Sequence, residues 1–370
     1  MRETLKHCRK IAIKAGTSIL TSKQGNFSQK QLAGLGHEIL RSMSDQKEVV
    51  LVSSGAIALG MEVSGIKKRP QEMAKLQACA AIGQGKLMYA YEQFFAKRGL
   101  HTAQLLLTRD GLEDRSRFLK ARQTLKELLK MRVLPIVNEN DTIATEEIAF
   151  GDNDILSVHV AHLIESDLLM ILSDVDGFHL KDGTRVRLVS SEEEIDQELI
   201  RHLKEKVSEK TVGGMKAKLE AARVAMRLGI PLLIVDGHCE GIMAKVLAGE
   251  DVGTLFLSGK EHKDARKNWI AFSAKRQGTI IVDPGAYKAL NRDKRSLLAS
   301  GILRLKGDFE QGDVVELENS EGRIFGRGVV RYASRELMQI TGKKSHEIKT
   351  ILGYKYQDEV IHRNDLVVWR

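Results

Sequence analysis

The stretch Val49-Val-Leu-Val-Ser-Ser-Gly-Ala-Ile57 places an uninterrupted apolar run directly before two serines, a glycine and the start of a helical pattern. Such a run is typical of a strand that is buried on both faces of a parallel sheet. Further short apolar runs of this kind precede and follow it along the chain. They are Ile11–Ile13, Ala103–Leu107, Val133–Val137, Leu168–Leu172, Pro231–Val235 and Thr254–Leu257.

Helical patterns lie between most of these runs. Ser28-Gln-Lys-Gln31 has the form of a capping box, and residues 72–98 are long enough for one long helix or two shorter ones. Apolar spacing of i, i+3, i+4 predicts three more helices, at Arg117–Met131, Ile155–Ile164 and Met215–Leu228. The alternation predicts an α/β fold, with a mostly parallel sheet sandwiched by helices and its ligands beyond the carboxyl ends of the strands.

Composition narrows the class of protein. Of 370 residues, 42% are apolar and 29% charged, which is the balance of a folded soluble chain. No apolar run approaches the ~18 residues of a membrane span, and the basic start is followed by too short an apolar stretch for a signal peptide. Three cysteines, far apart in the sequence, indicate neither a disulfide framework nor a CxxC metal site. A cytoplasmic protein is expected.

The character of the sequence changes after residue 258. Residues 1–258 form the predicted α/β domain, 259–276 a charged linker, and 277–370 a small β-rich domain with short, glycine-bounded runs. Residues 275–370 hold 18 Lys and Arg against 13 Asp and Glu, a basic excess that makes nucleic acid a candidate partner of this domain alone. The predicted strands lie in Gly278–Val282, Gly301–Leu305, Gly312–Leu317, Arg323–Val330 and Leu366–Trp369.

Two strand ends carry groups suited to anions. Lys14-Ala-Gly-Thr-Ser18 follows the first strand, where an ammonium and backbone N–H groups can meet phosphate, although the spacing is not that of a Walker A loop. The alternative is a solvated lysine. Ser53-Ser-Gly-Ala-Ile57 lacks the first glycine of a nucleophile elbow, and we interpret it as an anion cradle, with an ordinary Ser N-cap as the alternative.

Amide and carboxylate groups gather in Asn138-Glu-Asn-Asp141 and Gly151-Asp-Asn-Asp154. Such groups can hold an ammonium or a metal ion, whereas a helix cap explains only one of the aspartates. Gly213-Gly-Met-Lys-Ala-Lys218 is expected to open a helix, with its two lysines in the first turn. Positive charge there is unfavourable against the helix dipole, unless an anion lies between the lysines. His159 and His162 have an H-x-x-H spacing, but no third metal ligand matches it.

In this order, the five motifs resemble the amino acid kinase family, and the tail resembles a PUA domain, an RNA-binding module. Within the family the similarity is greatest to the enzymes that phosphorylate the side-chain carboxylate of L-glutamate with ATP, the first step of proline biosynthesis. That pattern has Thr-Gly-Gly-Met-x-Thr-Lys, whereas this chain has Val212 and Ala217 in place of the two threonines. Both hydroxyl groups are therefore missing, and only the backbone at these two positions can hydrogen-bond to the nucleotide.

The resemblance implies a role for each matching residue. Lys14 and Lys218 would supply positive charge on opposite sides of the phosphoryl group, with Asp154 holding them. Asp141 would bind the α-ammonium of glutamate, and Ser54 and Asn153 its carboxylate oxygens. The nucleotide would be lined by Lys14, Ser173, Asp174, Val212, Gly213, Gly214, Met215, Lys216, Ala217 and Lys218.

It further implies ATP and Mg²⁺ as cofactors, with no protein ligand named for the metal, proline as feedback inhibitor, and a homo-oligomer without membrane association. A carboxylate with a pKa of ~4.3 is already a nucleophile at neutral pH, which agrees with the lack of a histidine near these loops. Two alternatives stay open: another amino acid kinase, and an RNA-binding or RNA-modifying protein that acts through its tail. RNA binding by the tail is not favoured, because acidic residues crowd its middle.

Overall fold

A computed structural model describes residues 2–22, 25–108, 111–112, 114–143, 153–195, 199, 209–257, 270 and 276–369. The chain divides into two compact units: Met1–Gly111 with Phe118–His262, and Lys263–Arg370 with Leu112–Arg117. Most of the expected linker, 259–269 and 271–275, lies outside the described residues.

The first unit is built on an eight-stranded sheet in the order β3-β4-β2-β1-β5-β7-β8-β6. β7 and β8 pair antiparallel, and the other neighbours described in this sheet pair parallel. The predicted mostly parallel α/β sheet is therefore confirmed. Its strands are β1 Lys10–Ala15, β2 Glu48–Ser53, β3 Thr102–Leu107, β4 Leu134–Glu139, β5 Leu168–Ser173, β6 Leu188–Val189, β7 Leu232–Asp236 and β8 Thr254–Phe256.

Helices connect these strands. The long pattern after residue 72 forms one helix of 24 residues, and Ser28 caps its predicted helix by accepting a hydrogen bond from the N–H of Gln31. The helices up to residue 247, of which only the first three residues of α5 belong to the second unit, are α1 Thr17–Leu20, α2 Gln29–Ser44, α3 Ala56–Val63, α4 Met73–Ala96, α5 Arg115–Lys130, α6 Asn153–Ile164, α7 Glu192–Glu194, α8 Glu209–Leu228 and α9 Ile242–Leu247. None of the described helices is both long and apolar enough to cross a membrane.

Strand register brings the polar loop starts together. Ala15 at the end of β1 pairs with Ser53 of β2 on one side and with Leu172 of β5 on the other. β4 lies on the far side of β2, where Val52 pairs with Val137, one residue before Asn138. Apolar packing fixes this register, because a one-residue slip would turn every buried side chain to the wrong face. The carboxyl ends of four strands thus form one edge.

The second unit holds a five-stranded sheet in the order β11-β9-β12-β13-β15, and its strands are those predicted from the glycine-bounded runs. Its core includes Phe309, Phe325 and Tyr332. The sequence did not predict its helices or the paired strands β10 and β14. The elements are β9 Arg276–Val282, α10 Pro284–Asn291, β10 Leu297–Leu298, β11 Ile302–Lys306, β12 Val314–Glu318, β13 Ile324–Val329, α11 Ser334–Ile340, α12 Ile348–Leu352, β14 Glu359–Ile361 and β15 Leu366–Val368.

Candidate active site

A buried carboxylate lies between two lysines where β1 ends against α6. Asp154, the second residue of α6, has 0% exposed surface. The Nζ of Lys14, on β1, lies 2.6 Å from Oδ1 of Asp154, and the Nζ of Lys218, on α8, lies 3.2 Å from Oδ2. A buried carboxylate is costly unless it is paired, and here each oxygen has its own ammonium. The triplet keeps a net positive charge and can attract an anion.

Asn153, the residue before this carboxylate, ties the ends of β2 and β4 together. Its Nδ2 donates to the carbonyl oxygen of Ser53 at 2.7 Å, to Oδ1 of Asn138 at 2.8 Å and to Oγ of Ser54 at 3.1 Å. Both N–H bonds of this amide are therefore occupied. The expectation that Asn153 donates to a substrate carboxylate does not fit this geometry, since its free group is the carbonyl oxygen Oδ1, an acceptor.

Ser54 lies between this amide and the start of α3. Its Oγ accepts the hydrogen bond from Asn153, and its hydroxyl proton donates to no other described residue. Gly55, at φ 102°, is the N-cap of α3, so the alternative of an ordinary Ser N-cap is wrong. Only glycine adopts that left-handed conformation at little cost. The hydroxyl of Ser54 thus keeps a hydrogen bond to offer to a carboxylate oxygen.

Two side chains behind these loops were not predicted from the sequence. The hydroxyl of Tyr91, fully buried on α4, lies 2.9 Å from Oγ of Ser53, and burial raises the pKa of this phenol. Gln84, also on α4, accepts a hydrogen bond through Oε1 from Nδ2 of Asn138 at 2.8 Å. No sequence signal marks these helix residues, since their role depends on which helix packs behind β2 and β4.

Asp141 lies in the loop after β4 and is half-buried. Burial raises the pKa of its carboxyl group to about 6, and the positive charge of Arg69 partly offsets that effect. The structure places this carboxylate on the same sheet edge as Asn138 and Asn153, outside the hydrogen bonds that join those two amides. A half-buried carboxylate of this kind gains from a cationic partner.

The expected nucleotide side begins at the end of β5. Ser173 is buried, its Oγ lies 3.2 Å from Oδ1 of the exposed Asp174, and its carbonyl oxygen accepts a hydrogen bond from the N–H of Gly237. These two residues lie next to β1 and therefore on the side of the triplet away from β4.

The glycine pair lies inside a helix, which corrects the sequence expectation. α8 begins at Glu209, so Val212, Gly213 and Gly214 lie in its first two turns and Lys218 lies further along. The segment therefore offers no helix N-terminus to an anion, and neither lysine lies in a first turn, where the helix dipole would oppose its charge. Glu209 and Lys210 are good helix formers, and two glycines cost only about 1 kcal/mol each relative to alanine. Met215, Lys216 and Ala217 follow on the same helix, where Lys216 is exposed.

Gly151 and Asp152, from the loop before α6, lie outside the described residues. His159 and His162 are buried on α6, and the ring of His162 packs 5.6 Å from that of Phe118. Among the described residues no group of three or more His, Cys, Asp or Glu side chains could hold a metal ion. The contacts of these histidines are those of a packed helix.

Known proteins match the chain over both units. Residues 9–236 match the profile of the amino acid kinase family, and residues 278–352 match that of the PUA domain. The chain belongs to the amino acid kinase family. The predicted resemblance to this family, with a C-terminal PUA domain, is thereby confirmed.

Within this family, curated relatives share one name. The chain is 43% identical over 362 residues to the glutamate 5-kinase of Caldanaerobacter subterraneus subsp. tengcongensis, covering 97% of each chain. It is 43% identical over 367 residues to the glutamate 5-kinase of Geobacter sulfurreducens, covering 98% of each chain. It is also 43% identical to that of Syntrophotalea carbinolica over 370 residues, 99% of each chain. These amino acid kinases match the full two-unit arrangement and not the kinase unit alone.

Proposed function

We propose that this protein is an ATP-dependent glutamate 5-kinase that phosphorylates the side-chain carboxylate of L-glutamate and so begins proline biosynthesis. The observation that carries the proposal is the pair of lysines on Asp154, next to amides and a hydroxyl that suit an amino acid. The near full-length similarity to glutamate 5-kinases supports the choice of substrate. The kinase domain is proposed to span residues 1–258, with a linker at 259–276 and the PUA-like domain at 277–370.

In the proposed reaction, an oxygen of the glutamate side chain attacks the γ-phosphorus of ATP, and the bond from that phosphorus to the bridging oxygen of ADP breaks. No proton moves, because the attacking carboxylate is ionised and ADP leaves as an anion. Lys14 and Lys218 approach from different elements and are held by Asp154, so they can stabilise charge on the transferring group. An ammonium 4 Å from a phosphoryl charge contributes about 4 kcal/mol at an effective dielectric constant of 20.

Glutamate is proposed to bind between the ends of β2 and β4. Asp141 meets the α-ammonium, and the hydroxyl of Ser54 donates to a carboxylate oxygen. Asn153 contributes to the same subsite. ATP is proposed to lie on the other side of the triplet, against Ser173, Asp174 and residues 212–218.

Mg²⁺ is proposed to accompany ATP on its phosphates, where it would neutralise their charge. No protein ligand is assigned to it, because the described carboxylate at the centre of the site, Asp154, is committed to two lysines. Within the described residues, the donor set therefore fits a metal that arrives with the nucleotide better than a resident ion.

The proposal is tested by substrate preference. We expect purified protein to convert ATP to ADP with L-glutamate but not with L-aspartate or N-acetyl-L-glutamate. Hydroxylamine traps the acyl phosphate as the hydroxamate and releases phosphate, so the hydroxamate should form only with L-glutamate. Aspartate is one methylene shorter, so its carboxylate reaches less far toward the triplet while its ammonium meets Asp141. Equal turnover with aspartate or acetylglutamate would reject the assignment.

Proline is proposed as a feedback inhibitor, since it retains a cationic amine and an α-carboxylate that could compete for the groups that hold glutamate. Asp141→Asn is then expected to weaken the binding of glutamate and the inhibition by proline together. A cytoplasmic homo-oligomer is proposed on the family resemblance alone.

A further inference from the structure

Two backbone groups fix the orientation of the amide network beside the triplet. The N–H of Glu139 donates to Oδ1 of Asn138 at 2.9 Å, and the carbonyl oxygen of Ser53 accepts from Nδ2 of Asn153. A backbone N–H can only donate and a carbonyl oxygen can only accept, so neither amide can be turned over without placing like groups together. The amide of Asn138 therefore points its Nδ2 away from Asn153.

That Nδ2 faces Gln84 on α4, whose Oε1 accepts its hydrogen bond. The orientation of Gln84 follows, since turning it over would place NH₂ against NH₂. Its own Nε2 is then a buried donor with no hydrogen-bond partner among the described residues. Leaving a buried donor unpaired is unfavourable. The fold accepts this cost at Nε2 of Gln84, which indicates that the hydrogen bond from Asn138 to Oε1 of Gln84 is the important contact of this side chain.

Donation in this network thus runs from Nδ2 of Asn153 to Oδ1 of Asn138 and from Nδ2 of Asn138 to Oε1 of Gln84, which leaves Oδ1 of Asn153 outside it. That oxygen accepts no hydrogen bond from the described residues and does not number among the buried atoms left without a partner. Asn153 keeps 8% of its surface exposed, next to Ser54. An acceptor at this place suits an ammonium group and repels a carboxylate.

We propose that Gln84 is a positioning residue for the amino acid substrate: by accepting from Asn138 it holds that amide in place, and so keeps Asn153 where its carbonyl oxygen meets the α-ammonium of glutamate. This inference rests on the proposed function and refines it, because it assigns Asn153 to the ammonium together with Asp141. The carboxylate oxygens are left to Ser54 and the lysines.

The test compares glutamate with glutarate, which has both carboxylates but lacks the ammonium. Gln84→Met keeps the length of the side chain and removes the acceptor. We expect it to raise the KM for glutamate about tenfold, the loss of one hydrogen bond in binding, while kcat and the KM for ATP change less than about twofold. The inhibition constant of glutarate against glutamate should stay within about twofold of its original value, since glutarate makes no ammonium contact.

Two variants serve as controls. Gln84→Glu retains an acceptor at the same position and should restore the KM for glutamate to within about threefold of the original. Gln93, on the same helix, is exposed, and Gln93→Met should leave all of these constants unchanged.

The inference is overturned if Gln84→Met leaves the KM for glutamate unchanged. It is also overturned if glutamate and glutarate weaken equally, or if the KM values for glutamate and ATP rise together with a lower melting temperature, as expected of a purely structural residue. Its failure is distinct from that of the proposed function, which is decided by whether the unaltered protein phosphorylates glutamate at all.

Discussion

At the scale of single residues, the charge of the Lys14–Asp154–Lys218 triplet decides whether phosphoryl transfer has electrostatic support. Lys14→Met and Lys218→Met each remove one ammonium and should lower kcat by about 10²–10³-fold, which is typical when one transition-state donor is lost. The measurement is kcat at saturating glutamate and ATP, with circular dichroism to verify the fold. Lys10→Met is the matched control, since Lys10 lies at the other end of β1 and pairs with Glu48 at 3.8 Å on the surface.

If kcat falls by less than about fivefold for Lys14→Met or Lys218→Met, that lysine has a structural role only. The kcat of Lys10→Met should stay within about twofold of the original.

The half-buried carboxyl of Asp141 links pH to substrate binding. Because burial raises its pKa to about 6, the group is neutral below that pH and loses its attraction for an ammonium. The KM for glutamate should therefore fall as the pH rises through about 6, while the KM for ATP changes little. Steady-state kinetics between pH 5 and pH 8 (about three units around that pKa) measures this dependence. A flat KM profile for glutamate over this range would contradict the assignment.

The same shift carries a stability prediction of opposite sign. A carboxyl group whose pKa is raised by folding makes its full contribution to the stability of the fold below its pKa in the unfolded chain. That contribution is lost as the pH rises through about 6. Asp141→Asn removes the cost of burying a charge, so it should raise the free energy of unfolding at pH ~7 and not at pH ~4, while it weakens glutamate. Urea titrations at the two pH values test this, and equal effects at both would refute it.

The residues that sequence could locate are those at strand ends. An apolar run marks where a buried strand stops, so the sequence alone places Lys14, Ser54 and Asn138 at one edge of the sheet. Gln84 and Tyr91 could not be located in this way, because they lie inside a long helix whose contacts with the strands depend on tertiary packing. The hydrogen-bond direction of Asn153 was also inaccessible, since it is set by backbone groups of Ser53 and Glu139.

At the scale of elements, the crossing of α3 over α4 depends on glycine. A Cβ on Gly83 would lie 1.8 Å from the carbonyl oxygen of Ala56, and a Cβ on Gly60 would lie 1.8 Å from that of Cys79. Both contacts are with backbone, which cannot move aside independently. The two helices therefore pack at a distance that only glycine allows, and Ala56 begins α3 directly after the loop of Ser54.

Gly83→Ala should consequently push α3 and its preceding loop away from the site. We expect a loss of about 2 kcal/mol or more in the free energy of unfolding, typical of an overpacked core, and a larger rise in KM for glutamate than for ATP. Gly85→Ala is the matched control, since a Cβ there has nothing within 4 Å. As an exposed helix position it should gain about 0.5–1 kcal/mol. Denaturant unfolding measures the stability of both variants. If Gly83→Ala is as stable as Gly85→Ala, the two helices can move apart to accommodate the added methyl group.

Element boundaries show where sequence patterns fail. The apolar period of Met215–Leu228 predicted the body of α8, but α8 begins at Glu209, because periodicity is blind to a polar first turn. β1, β2, β4 and β5 were easier, since each is a short buried run next to a polar loop. β3 was found from its apolar run, but it lies at the edge of the sheet and none of its residues is buried. In the second unit the glycine-bounded runs predicted its five-stranded sheet, whereas the short strands β10 and β14 have too few residues to show an alternation.

At the scale of the whole molecule, the question is what the second unit adds to catalysis. Each residue proposed to touch glutamate or ATP lies at or before Lys218, and the sheet that positions them closes with β8 at Phe256. The second unit has its own core and its own sheet. Nothing in the phosphorylation of glutamate requires a nucleic acid.

Deleting the chain from about residue 270 should therefore leave a folded and active kinase, with kcat within about threefold of the full chain. The acidic residues in the middle of the tail, among them Glu316 and Glu318, which pair with Arg327 and Lys306, reduce the basic surface available to phosphates. We therefore expect the full chain to bind structured RNA no better than the truncated chain does at physiological salt. Submicromolar binding by the full chain alone, with an affinity that falls steeply as salt rises, would instead assign RNA to the PUA domain, because each phosphate contact releases counterions. A truncated chain that folds but cannot phosphorylate glutamate would show that the second unit completes the active site.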